Sequence, residues 1–205
     1  MQHFANSPRP TESLWGHVQT AEEVIPGIWI VNTASHGGMI LSDERQAAMP
    51  DALRLDSPSY EEDCNWCLPV LAFEAGFAAS TIGRPSLLQL AHDTARCWHP
   101  DRYTAFTGEQ VPENKSHILK ERAAYTALIG QYVATSAWGD WAEWVPEGRI
   151  GFLVRKIASV DHLGHASYTA EERWALADKA DWEACASPRP LASLNATMID
   201  RPTRV

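Results

Sequence analysis

The chain has 205 residues, of which 45% are apolar and 21% charged; this is ordinary globular usage and excludes wholesale disorder. Its 17 basic and 26 acidic residues leave a formal net charge of -9, a field that repels phosphate backbones and anionic lipid, so direct binding to nucleic acid or a membrane surface is disfavoured. The acids are interspersed with bases, Glu61-Glu62-Asp63 being the longest acidic run, which is not the spacing of a DNA mimic.

No basic-then-apolar leader stands at the N-terminus, and no apolar run reaches the roughly 18 residues that span a bilayer. The expectation is a cytoplasmic protein whose four cysteines are reduced. Residues 1–13 and 185–205 are rich in Pro, Ser and Asn and lack periodicity, so both read as flexible tails around a single domain at 14–184.

The first elements read as strands. Pro26-Gly27 fits the centre of a type II turn, "IWIVNTA" is β-branched and aromatic, and "GMILS" follows a glycine pair. Together they predict a three-stranded antiparallel meander. Ser42 can cap a short helix, with Asp43 and Glu44 near the positive end of its dipole and Pro50 closing it. Ser57-Pro58 predicts a longer helix that carries Glu61, Glu62 and Asp63 in its opening turns and a stripe of Trp66, Val70, Phe73 and Phe77, with a kink or break at Pro69. A further amphipathic helix runs through "PSLLQLAHDTARCWHP".

The pattern Ile118, Arg122, Tyr125, Ile129 and Tyr132 predicts a long helix across "NKSHILKERAAYTALIGQYVATSA". "RIGFLVRKIA" reads as a fourth strand beside the N-terminal meander. Thr169-Ala170-Glu171-Glu172 matches a capping box and predicts a final helix through "RWALADKADW". The segregation of strands and helices gives an α+β class: one small antiparallel sheet, made of the meander and one later strand, packed by about five helices.

Four groups of side chains suggest chemistry. His36 before Gly37 and Gly38 can form a loop in which backbone amides meet an anion while an imidazole moves protons. Such a loop needs a nucleophile, and no G-x-S-x-G, P-loop, G-x-G-x-x-G or H-E-x-x-H motif is present, so Ser35, His36, Gly37 and Gly38 read first as a hairpin turn. Glu61, Glu62 and Asp63 can act as acid and base with His36, or simply favour a helix N-terminus. Cys64-x-x-Cys67 with Cys97-x-His99 supplies zinc-type ligands. Residues two apart on a helix do not share a face, however, so small buried thiols are the preferred reading and no metal or cofactor is expected.

Trp138, Trp141 and Trp144 recur every three residues, interleaved with Asp140 and Glu143. Stacking platforms for bases are interleaved with Lys or Arg, so this segment reads either as core or as a patch for a protein partner.

An aromatic strand, Ser-x-Gly-Gly and an apolar strand ending in a small polar residue resemble the ArdB/KlcA family of anti-restriction proteins. The matching residues are Trp29, Ser35, Gly37, Gly38 and Met39 to Leu41, with His36 where that family typically has Asn. The wider pattern "ASHGGMILSDER…YEEDCNW" is similar to an uncharacterised domain of phage and plasmid proteins. These resemblances cover about residues 25 to 80 and imply a mobile-element protein that blocks a bacterial defence system by binding, without catalysis. The partner would be a basic host defence complex, met through Glu61, Glu62, Asp63 and the tryptophan segment, and homodimerisation stays open. The rival reading is a small hydrolase or transferase that uses His36 with those carboxylates.

Overall fold

The computed structural model describes residues 3–203. The chain is α+β, with seven helices and three antiparallel sheets of two, four and four strands among the described residues. It divides into two compact units, Met1–His117 and Ile118–Val205, where the sequence suggests a single domain. No helix among the described residues is long and apolar enough to cross a membrane.

In the first unit a two-residue ladder joins β1 (Glu12–Ser13) to β2 (Gly16–His17). The predicted meander follows as β3 (Thr20–Ile25), β4 (Ile28–Asn32) and β5 (Gly37–Leu41). Gly27, at φ +78°, takes the left-handed position of the turn between β3 and β4. The fourth strand of this sheet is not the later segment expected from sequence but β6 (Ser59–Glu61), which pairs with β5 to give the order β3-β4-β5-β6.

β6 replaces the start of the helix expected at Ser57-Pro58. The Leu41 amide donates to the Pro58 carbonyl at 3.0 Å, and Tyr60, opposite Met39, is fully buried, so pairing and burial outweigh the local signal for a helix. Between β5 and β6 lies α1 (Asp43–Ala47), whose cap is as predicted: Ser42 Oγ accepts from the Arg45 amide at 3.3 Å.

The helical part consists of α2 (Cys67–Ala72), α3 (Glu74–Ala78), α4 (Pro85–Trp98) and α5 (Pro100–Thr107). Pro69 falls in the first turn of α2, where a missing N–H costs nothing, so the helix does not break there. The break comes at Phe73, whose φ of -122° and ψ of 33° separate α2 from α3. Ile28, Met39, Leu41 and Tyr60 of the sheet and Leu68, Val70, Phe77, Ala91 and Ala95 of the helices form this unit's core.

Helix α6 (His117–Thr126) covers only the front of the predicted long helix. Gly130 takes φ +85°, and Tyr132, Val133 and Thr135 then suit a strand, β7 (Tyr132–Trp138). β8 (Arg149–Val160) pairs with β7 on one side and with β9 (Ala166–Asp178) on the other, so its neighbours are not the N-terminal meander. β9 occupies most of the segment expected as a capping-box helix; only α7 (Lys179–Ala184) is helical. Glu172 lies opposite Arg155 in the ladder and pairs with it across the strands, while Thr169, Ala170 and Glu171 fall at a register shift between β8 and β9.

A short β10 (Thr197–Ile199) adds to β9, giving the order β10-β9-β8-β7. Phe152, Val154, Ala175, Ala177 and Leu194 form the core on one face of this sheet. Segments that read as tails carry contacts: the Ser7 amide donates to Glu23 Oε1 at 2.8 Å, the Ala134 amide donates to the Arg189 carbonyl at 2.9 Å, and Leu194 is fully buried.

The opposite face is aromatic. Trp138 lies 5.6 Å from Trp144 and 5.3 Å from Trp174, and Trp144 lies 5.7 Å from Trp174, centroid to centroid. A Cβ on Gly151 would come within 2.2 Å of the Trp144 ring. Gly151→Ala is therefore expected to cost about 1–3 kcal/mol through overpacking, seen as a lower denaturation midpoint at unchanged slope in tryptophan fluorescence.

Candidate functional site

Antiparallel register puts Ile28 opposite Leu41, Ile30 opposite Met39 and Asn32 opposite Gly37 on one face of the first sheet. Burial is complete at Ile28 and thins toward Asn32, which is exposed. At that end Ile30, Met39, Trp66, Ile82, Leu87 and Leu90 surround a cleft of about 260 Å³. Its polar side chains are Glu62 and Asn32, and Leu90 is 54% exposed beside it.

The cleft borders the Ser-His-Gly-Gly stretch, which is only half a turn. Thr33 organises the turn: its amide and its hydroxyl donate to the His36 carbonyl at 2.8 and 2.9 Å, and its Oγ1 accepts from the His36 amide at 3.2 Å. Ser35 and His36 are exposed there. Gly37 and Gly38, expected in the turn, are buried residues of β5. A Cβ on Gly37 would lie 2.6 Å from Glu62 Oε2, and one on Gly38 would lie 2.3 Å from the Tyr60 carbonyl. The glycines therefore admit β6 and the Glu62 carboxylate, and no oxyanion loop is needed to explain them.

The acidic run is not at a helix N-terminus. Glu61 accepts the amides of Asp63, Cys64 and Asn65 at 2.6, 2.8 and 2.8 Å and the Cys64 thiol at 3.1 Å, which folds the chain back after β6. Burial alone would raise the Glu61 carboxyl; these donors reverse that and hold it below the usual carboxylate range. Glu62 Oε1 accepts the Gly37 amide at 2.9 Å, and the Glu62 amide donates to the Gly37 carbonyl at 3.1 Å. Asp63 is exposed. Glu62 thus reaches the backbone next to His36, but among the described residues no ion pair joins the His36 imidazole to a carboxylate.

Three of the four residues with zinc-type ligands gather around one backbone carbonyl. The Cys67 thiol donates to the Cys64 carbonyl at 3.0 Å, and His99 Nε2 donates to the same oxygen at 3.1 Å. Cys97 offers its carbonyl to the Ser116 hydroxyl at 2.9 Å. Burial, then the hydrogen bond to Glu61, pushes the Cys64 thiol up to about 12, and burial raises Cys67 and lowers His99. Thiols held this way are inert at neutral pH. Among the described residues no three His, Cys, Asp or Glu side chains are placed to hold a metal ion.

In the second unit Trp138 and Trp144 belong to the aromatic cluster with Trp174, a partner missed in the sequence because its segment reads as a helix. Trp141 points away, 76% exposed. Asp140 Oδ2 accepts the Gly148 amide at 3.3 Å and closes the loop before β8, while Glu143 is exposed.

Neither the apolar cleft nor Arg45 is legible as a site in the sequence. Glu62 and Gly37 are 25 residues apart, and Leu87 and Leu90 read only as one face of an amphipathic helix.

Compared with known proteins, the model of a family described as a domain of unknown function (DUF7007) matches residues 8–129, a span that contains the whole cleft. No curated protein matches the chain, and no solved structure does.

Glu61 gives a pH prediction. Its folded pKa is depressed, so its ionised form stabilises the native state above the unfolded value of about 4.3, and that stability is lost as pH falls through the folded value. Glu61→Gln is expected to cost about 1–2 kcal/mol at neutral pH and to flatten the decline of stability below about pH 4, measured by denaturant unfolding across pH.

Proposed function

The chain belongs to the DUF7007 family, and from the way its polar side chains are used we propose that it acts by binding a basic protein partner and not by catalysis. The observation that carries this reading is the cleft between β4, β5 and α4. Its walls are apolar, Leu90 is exposed at its edge, and its one ionisable side chain is the Glu62 carboxylate. Such a surface takes an apolar side chain of a partner next to a Lys or Arg. The net charge of -9 favours the same partner chemistry.

The resemblance at Trp29, Ser35, Gly37, Gly38 and Met39 to Leu41 to the ArdB/KlcA family supports a narrower version. In it the chain is a mobile-element antagonist of a bacterial defence complex, working in the host cytoplasm. Asp63 and Trp141 remain exposed as accessory contacts, whereas Glu61, Trp138 and Trp144 serve their own units. The acid-base reading has less support, because Glu61 is committed to three backbone amides and Glu62 to one.

The test is co-expression of the tagged full chain with restriction or CRISPR-type complexes. A stable complex is expected, together with restored entry of phage or plasmid. Leu90→Glu, at an exposed position, is expected to weaken that complex about tenfold or more while leaving the melting temperature unchanged. Absence of any stable complex combined with intact defence would sink the proposal.

A further inference from the structure

Arg45 is the one charged side chain in the buried class among the described residues, at 5% exposure. It projects from α1, where its Nε–H donates to the Pro26 carbonyl at 2.8 Å. Its guanidinium carbon lies 3.6 Å from the Phe4 ring centroid and 4.5 Å from that of Phe73, and the two rings meet edge to face at 5.7 Å. The Glu44 charge acts on it from the same helix, but among the described residues no carboxylate forms a hydrogen bond or ion pair with it, and no protein acceptor meets its terminal amino groups. A buried guanidinium is normally matched by an anion, because its field inside the protein is poorly screened.

The same guanidinium lines a cavity of about 320 Å³ whose other walls include Phe4, Phe73, Ala48 and Ala75. That volume lies at the lower end of small-ligand sites, which run from about 300 Å³ upward. Glu74 stands at the cavity with its carboxylate 3.7 Å from His92 Nε2. A nearby carboxylate and a net charge of -9 both disfavour a dianion such as phosphate.

We propose that this cavity binds a small apolar carboxylate, its oxygens taking the terminal N–H groups of Arg45 and its apolar part lying against Phe4 and Phe73. Guanidinium and carboxylate match in planar, two-point geometry, and the rings hold the guanidinium in position before the ligand arrives. The proposal is independent of partner binding at the cleft, since neither Arg45 nor the two rings line that cleft.

The experiment follows the Arg45 Nε–H resonance of the ¹⁵N-labelled full chain at matched ionic strength during titration with hexanoate, hexanamide and inorganic phosphate. Hexanoate is expected to give a saturable shift with a Kd of about 1 mM or tighter, and the other two to bind at least about tenfold more weakly. Phe4→Ala is expected to weaken hexanoate about tenfold, and Arg45→Gln, followed through the backbone amides of the cavity residues Phe73 and Ala75, to abolish its binding. A leucine-terminated peptide with a free carboxyl, set against its amidated form, tells the end of a protein chain from a free acid: binding by the free-carboxyl form alone assigns the former, and binding by neither assigns the latter. No saturable response to hexanoate, an equal response to hexanamide, or phosphate binding as tight as hexanoate overturns the proposal. Should Arg45→Gln fail to fold, the comparison of hexanoate with hexanamide on the natural chain decides alone.

Discussion

The close approach of β6 to β5 is the constraint on which the first unit depends. With no Cβ at Gly38, the Tyr60 carbonyl can sit where a side chain would otherwise be, only 2.3 Å from that ideal position. Once β6 is in place Tyr60 is fully buried, and its hydroxyl donates to Gln46 Oε1 at 3.0 Å and accepts the Leu55 amide at 3.2 Å, which ties down the segment between α1 and β6. The chain then leaves β6 under the control of Glu61, which sets where Trp66 and α2 begin and so builds one wall of the cleft. A side chain at Gly38 would act on all of these together, because they hang on one strand pairing.

Several carboxylates, among them Glu61 and Glu62 that look available for chemistry in the sequence, are used as backbone acceptors. Glu23 takes the amides of Ser7 and Gly27, Glu61 takes three amides, Glu62 takes that of Gly37, and Asp161 takes those of Leu163 and His165. Each bond satisfies a donor that a turn or strand end would leave free, and bonds to an ionised acceptor are the stronger kind. The same accounting explains the cysteines: the Cys67 thiol and His99 complete the Cys64 carbonyl at the start of α2.

Local chemistry made part of this fold readable. Pro26-Gly27, the β-branched run of β4, the Ser42 cap and the opening Pro85 of α4 each act within a few residues, and each element stands where those signals put it. The second sheet was misread for the opposite reason. Thr169 and Glu172 have the spacing of a capping box, yet their segment runs along β8 for the length of β9, and the faces alternate with Trp174 on one side and Ala175 and Ala177 on the other. Ladder pairing with a strand earlier in the chain outweighs a weak helical preference, and no local window contains that strand. The sites were illegible on the same grounds: Arg45 meets Phe4 and Phe73, and Glu62 meets Gly37, only through tertiary structure.

Charge and apolar surface have separate parts to play in the binding reading. The net charge of -9 is spread over the chain, so it would act at range, raising the rate of encounter with a basic partner by an amount that falls with salt. Trp66, Leu87 and Leu90 act only on contact, and contact area of that kind governs how slowly a complex dissociates. Glu62 stands between the two regimes. Its bond to the Gly37 amide fixes the carboxylate at the edge of the cleft, so a partner's cation would meet a group already oriented, and little side-chain freedom would be lost on binding. An acid held by the strand it borders would thus be a better recognition element than Asp63 beside it, although both are exposed and the sequence offers the two as equals.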